Sequence, residues 1–106
     1  MHIKKIIQKQ ISENTILIYM KGSPESPSCG FSAKAVEALS SCGVSFAYVD
    51  VLENENIRSF LPQYSNWPTF PQLWVKGELI GGCDIILKML ENGKLKKILL
   101  SATQKN

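Results

Sequence analysis

The 106 residues can build one hydrophobic core but not two, and at 44% hydrophobic and 20% charged the chain can bury that core instead of remaining disordered. A net charge of +3, from 12 basic and 9 acidic residues, is too small and too scattered to mark a nucleic-acid partner, and no apolar run approaches the roughly 18–20 residues of a membrane span. The three cysteines, Cys29, Cys42 and Cys83, have no short paired spacing, which excludes a disulfide framework and points to a reducing compartment, the cytoplasm, with one working thiol.

In chain order, Met1 to Asn14 is basic and apolar, but it has neither the long apolar core nor the small-residue cleavage site of a secretory signal. Ile3, Ile6, Ile7 and Ile11 recur at helical spacing and predict a first helix packed on the domain. Thr15–Met20 is an uninterrupted β-branched and apolar run, the pattern of a strand buried on both faces. Lys21–Ser28, with Gly22, Pro24 and Pro27, is a loop. A helix follows from about Gly30 to Ser41, with Ala35, Ala38, Leu39 and Cys42 on its apolar side and Gly43 at its C-terminal cap. Phe46–Val51 is a second strand, so the three elements form a right-handed parallel βαβ unit. Asn54–Leu61 reads as a helix that kinks or stops early at Pro62.

Trp67-Pro-Thr-Phe-Pro71 must be extended, because a residue before proline avoids the helical region. Gln72–Lys76 and Leu79–Ile80 flank a tight turn and predict an antiparallel hairpin. After Gly81-Gly82, Ile85, Ile86, Met89 and Leu90 form the apolar stripe of a further helix that ends at Asn92-Gly93, and Leu95, Ile98, Leu99 and Ala102 pattern a last one. The order αβαβαββαα describes one α/β domain over residues 1–106, a mixed four-stranded sheet flanked by helices on both faces.

Cys29 lies where a proline-rich loop meets a helix. Unpaired N–H groups and the partial positive charge of a helix N-terminus favour thiolate over thiol there, and Lys21 at the end of the first strand adds positive potential. The plainer alternative is an inert, partly buried cysteine. The motif Cys29-Gly30-Phe31-Ser32 is C-x-x-S, not C-x-x-C, so no second thiol one turn later can resolve a mixed disulfide; the Ser32 hydroxyl can only hydrogen-bond near the sulfur.

The blocks Lys21-Gly-Ser-Pro-Glu-Ser-Pro-Ser-Cys-Gly-Phe-Ser32, Trp67-Pro-Thr-Phe-Pro71 and Gly81-Gly-Cys-Asp84, in this order and spacing, closely resemble the monothiol glutaredoxins of the CGFS type, in their single-domain bacterial form. The resemblance runs from about Ile3 to Leu100 and implies a thioredoxin-like (glutaredoxin) fold, glutathione binding and a [2Fe–2S] cluster bridged between two protomers. The cluster ligands it implies are Cys29 of each protomer and one glutathione thiol per protomer. An independent count agrees: such a centre takes four thiolates, and one chain with three dispersed cysteines is a poor complete site.

Carried over by position, Lys21 and Arg58 face the glycine carboxylate of glutathione, with Gln63 a weaker candidate for the same end. Arg58 is the only arginine, and its planar fork suits a carboxylate; the alternative is a solvated surface charge. Phe70 precedes Pro71, which matches the cis-proline of the fold, so the Phe70 backbone would pair with the cysteinyl part of the peptide while its ring packs in the core. Cys83 and Asp84 open a helix whose N–H groups can receive the γ-glutamyl carboxylate, with Asp84 taking the amino group or acting only as an N-cap. Cys83 belongs with the glutathione contacts, as a small residue at a tight turn or a secondary thiol, and not with the cluster ligands. Cys42 is structural.

The implied function is storage of the cluster and its transfer to apo iron–sulfur proteins, by a homodimer or by a mixed dimer with a BolA-like protein. The alternative is a glutathione-dependent thiol–disulfide oxidoreductase acting on glutathione mixed disulfides, with weak activity by family analogy. Neither nucleic acid nor membrane is expected as a partner: Trp67, Phe70 and Trp74 lack an interleaved basic stripe, and the isoleucine face of the first helix is needed by the fold.

Overall fold

The computed structural model describes residues 2–104; Met1 of the expected first segment and the last two residues of the chain lie outside them. The elements are α1 (Ile3–Glu13), β1 (Ile16–Met20), α2 (Gly30–Ser41), β2 (Ala47–Asp50), α3 (Glu55–Ser65), β3 (Gln72–Val75), β4 (Glu78–Gly81), α4 (Cys83–Glu91) and α5 (Lys94–Thr103). Their order matches the sequence reading. The sheet runs β2-β1-β3-β4, with β2 parallel to β1 and both β3 and β4 antiparallel to their neighbours. This is the thioredoxin-like glutaredoxin fold.

The unbroken apolar run of β1 is explained by its central position, since strand side chains alternate between faces. Ile16, Ile18 and Met20 enter a core closed by Ala35 and Leu39 of α2, Ile86 of α4, and Leu95 and Leu99 of α5. Leu17 and Tyr19 enter a second core on the other face, with Ile7 and Ile11 of α1, Ile57 and Leu61 of α3, and Trp74 of β3. Both faces are therefore buried, and the strand's one hydroxyl, that of Tyr19, is satisfied by Gln10 Oε1. The β3–β4 connection is a tight turn with Lys76 and Gly77 both at positive φ (51° and 82°), the geometry that matches strand twist in a two-residue hairpin. Among the described residues no helix is long and apolar enough to cross a membrane.

Two expectations are corrected. Pro62 does not stop α3, which continues to Ser65. Its missing N–H removes one helical bond, but the turn beyond it is anchored on both sides. Leu61 is fully buried, and after Asn66 turns left-handed (φ 55°) the Trp67 N–H donates to the Pro62 carbonyl at 3.2 Å, a Schellman closure. Leu90 is not a core residue: Ile86 is fully buried while Leu90, four positions on, is 37% exposed. The apolar stripe therefore outruns its burial toward the C-terminal end of α4.

Candidate functional site

The chain reverses at one end of the sheet, where β1 ends and β3 begins. The connections there enclose an open cleft of about 730 Å³. Lys21, Cys29, Arg58, Phe70, Cys83 and Asp84, the six residues singled out from sequence, all line it. Gln63 does not; it is exposed on α3.

Cys29 is the N-cap of α2, in extended geometry (φ −153°, ψ 141°), and its side chain makes no cap bond. The first-turn N–H groups of α2 are thus free to serve the sulfur. Partial burial pushes the Cys29 thiol up, but four influences together outweigh it and hold the thiol below its ordinary value: the Ser32 N–H, the Ser32 hydroxyl, the Phe31 N–H and the positive charge of Lys21. Ser32 is fully buried, and its oxygen also accepts the Lys21 amide N–H at 3.1 Å. With that lone pair occupied, the hydroxyl proton is left for the sulfur. Phe31 stands 60% exposed at the lip of the cleft beside the thiolate.

The two cations come from elements on the β1–β2 side of the sheet. Lys21 follows β1 directly. Arg58 stands one turn into α3, with its side chain 43% exposed and a loose contact (3.8 Å) to Glu55. An exposed pair of this length contributes little, so the guanidinium remains available to another carboxylate. Across the cleft, after β4, Gly82 caps α4 without a side-chain bond, leaving its first N–H groups open. Gly82, and not Asp84, is therefore the N-cap; Asp84 is exposed in the first turn and free to meet an ammonium group. A ligand carrying anions at both ends, one of them beside an ammonium, matches this distribution of charge.

Phe70 is half-buried, with its ring against the α1–α3 core, and the Phe70–Pro71 peptide is cis. Cys83 is the first residue of α4 and is buried. Burial foremost, then Asp84 and Cys29, raise its thiol above the ordinary value, against the opposing charge of Lys34. Of the two cleft thiols Cys83 is thus the harder to ionise and Cys29 the easier. Cys42 is buried in the α2 core as expected, and all three cysteines are free.

Sequence reasoning assigned no role to Trp67, Pro68, Thr69 or Ile85, which also line the cleft. The signal was present for three of them, since they lie inside the Trp67–Pro71 block. Trp67 covers Gly82: a Cβ there would stand 3.2 Å from the indole Nε1 and 3.2 Å from the Pro71 carbonyl oxygen. That indole N–H is buried without a hydrogen-bond partner among the described residues.

Residues 16–80 match the Glutaredoxin family model. A relative from Buchnera aphidicola subsp. Schizaphis graminum, Glutaredoxin 4, is 70% identical over 102 residues, covering 96% of this chain and 95% of its own. Glutaredoxin 4 of Escherichia coli K12 is 62% identical over 99 residues, 93% of this chain and 86% of its own. Among solved structures, reduced apo GrxS14 of poplar superposes with a TM-score of 0.81 at 40% identity, covering 94% of this chain and 92% of that one.

Proposed function

The chain belongs to the glutaredoxin family, as a monothiol member of the CGFS type, and from that premise we propose that it is a glutathione-dependent carrier of [2Fe–2S] clusters, acting in the cytoplasm as one glutaredoxin domain. The observation that carries this reading is a single thiol, Cys29, held below its ordinary value at a helix start, in a cleft whose motif offers a hydroxyl, Ser32, where a second thiol would stand. Among the described residues no group of three or more His, Cys, Asp or Glu side chains is placed to hold a metal ion. One chain thus brings one sulfur to a cargo that takes four thiolates. Two protomers and two glutathione thiols complete the count.

The cleft supplies the means to recruit that peptide. Lys21 and Arg58 receive the glycine carboxylate. The open N–H groups of α4 receive the γ-glutamyl carboxylate, and Asp84 meets the amino group beside it. The Phe70 backbone pairs with the cysteinyl residue, and Cys83 packs against the bound peptide as a neutral thiol. Because glutathione is held without a covalent bond, its thiol leaves by simple ligand exchange. That lability suits delivery to apo iron–sulfur proteins, from a homodimer or from a mixed dimer with a BolA-like protein.

Anaerobic incubation with ferrous iron, sulfide and glutathione tests this. The expected product is a coloured dimer that requires both glutathione and Cys29. A colourless monomer, or equal iron and sulfide content in Cys29→Ser, overturns the reading.

The depressed thiol favours a second activity. The Cys29 thiolate attacks the glutathione sulfur of a mixed disulfide, releasing the partner thiolate and forming a Cys29–glutathione disulfide; a second glutathione thiolate then attacks, yielding oxidised glutathione and free Cys29. Fast turnover of a small glutathionylated disulfide, abolished by Cys29→Ser, would place this enzyme role first.

A further inference from the structure

We propose that Asp50, which does not line the cleft, is a positioning residue that holds both of its cations, Lys21 and Arg58, in place. Asp50 is the last residue of β2. Its Oδ1 accepts the Gly22 N–H at 2.9 Å and the Leu52 N–H at 2.9 Å, and its backbone carbonyl accepts the Asn54 side-chain amide at 2.8 Å. The first bond ties down the residue after Lys21. The other two fold the turn from which α3 departs, with Arg58 on its first turn.

The Lys21 side has little freedom. Its own N–H donates to Ser32 Oγ at 3.1 Å, and its carbonyl accepts the Ser28 N–H at 2.9 Å. Gly22 then turns at φ +87°, where a Cβ would meet the Ser26 carbonyl oxygen at 2.5 Å and the Ser28 nitrogen at 2.6 Å. Two successive amides, Lys21 and Gly22, are thus gripped by side chains from two different elements, Ser32 of α2 and Asp50 of β2. Hydrogen bonds to an ionised carboxylate are about twice as strong as neutral ones, so the Asp50 grip is the firmer. Without it the Gly22 amide loses its acceptor and the Leu52 amide is released at the same time, while the Asp50 backbone carbonyl keeps its bonds from Glu53 and Asn54, so what is lost is the link between the loop and the turn. One carboxylate therefore sets the separation between two cations that lie 37 positions apart in sequence.

The inference rests on the reading that Lys21 and Arg58 receive the glycine carboxylate of glutathione. It is tested with the full chain in its apo form, titrated by NMR with reduced glutathione and with its glycine monoethyl ester, which lacks that charge. Wild type is expected to prefer glutathione over the ester by roughly two- to fivefold, the range of a partly exposed ion pair. Asp50→Ala is expected to weaken glutathione binding, leave the ester unchanged and bring the ratio to about one. Asp50→Asn, whose side-chain carbonyl can still accept both amides, is expected to retain most of the ratio.

If Asp50 acted only through its negative field, both variants would instead bind glutathione more tightly than wild type, and the inference would be overturned. An undiminished ratio in Asp50→Ala overturns it as well. Should Asp50→Ala not fold, Asp50→Ser takes its place, because one short hydroxyl cannot span both amides; an undiminished ratio there has the same consequence. Wild type that binds glutathione and ester alike refutes the carboxylate reading itself, and this inference with it.

Discussion

The Ser32 hydroxyl, which occupies the position of a second thiol in the Cys29 motif, accepts the Lys21 amide N–H at 3.1 Å and lies fully buried behind the sulfur. It therefore ties the loop that carries the cation to the helix that carries the thiolate. Replacing Ser32 by Ala is expected to raise the Cys29 thiol, since a donor to the charged form is lost while burial still opposes ionisation. Alkylation of Cys29 by iodoacetamide, followed by mass spectrometry against pH, should reach its plateau at higher pH in the variant. An unmoved profile would mean that Ser32 only fills space.

Two glycines differ in how much room they leave. At Gly22 a Cβ would approach backbone atoms to 2.5 and 2.6 Å, at a positive φ that L side chains rarely adopt. At Gly82 the closest approaches are 3.2 Å, one of them to an indole that can tilt. Gly82→Ala is expected to cost about 1 kcal/mol and Gly22→Ala about 3 kcal/mol or more, as overpacking does at soft and hard contacts. Urea unfolding should rank them in that order; the reverse order would refute the crowding at Gly22.

Tyr19 is fully buried and donates its hydroxyl to Gln10 Oε1 at 2.9 Å. Burial first, and the neighbouring Tyr64 second, push its phenol well above the ordinary value near 10. Above that pH the unfolded chain releases the proton while the native chain keeps it, so the native state binds more protons and stability falls as pH rises. The contribution is complete below pH 10 and is lost progressively above it. Tyr19→Phe is expected to cost about 1 kcal/mol at neutral pH, for the lost hydrogen bond, and to flatten the alkaline decline. Denaturant midpoints from pH 8 upward measure both.

Ile86 and Leu90 share one helical stripe yet differ in burial, fully buried against 37% exposed. Ile86→Ala is expected to cost about 2–5 kcal/mol, as cavities in a close-packed core do, and Leu90→Ala less than about 1 kcal/mol. Comparable losses at the two positions, measured by chemical denaturation, would contradict the placement of α4.

Most of the fold was legible because its signals are local. The isoleucine spacing of α1, the apolar run of β1, the Lys76-Gly77 turn and the Gly81-Gly82 pair at the junction of β4 and α4 each follow from the period or the turn chemistry of a few neighbouring residues. Pro62 misled for the same reason. A local rule forecast a kink or an early stop, while burial of Leu61 and the closure between Trp67 and Pro62 sustain one more turn. Five of the six cleft residues were found through motifs that are contiguous in sequence; Arg58, outside those blocks, was found by its position in the family resemblance and as the only arginine. Asp50 carries no such signal, since an aspartate at the end of a strand looks like any other until its neighbours in space are known.

By itself the amino-acid sequence determined the kind of chemistry available: one thiol at a helix start, a serine where a resolving thiol would be, two cations and an acidic residue in separate segments. Those are properties of residue type and near spacing, and they need no folding to be read. Only the tertiary structure decided that these segments converge on one cleft, that Gly82 and not Asp84 caps α4, that burial makes Cys83 harder to ionise than Cys29, and that Asp50 grips the loop of Lys21 and the approach to Arg58 together. Such facts depend on contacts between residues tens of positions apart, and packing, which closes the loops between them, fixes those contacts.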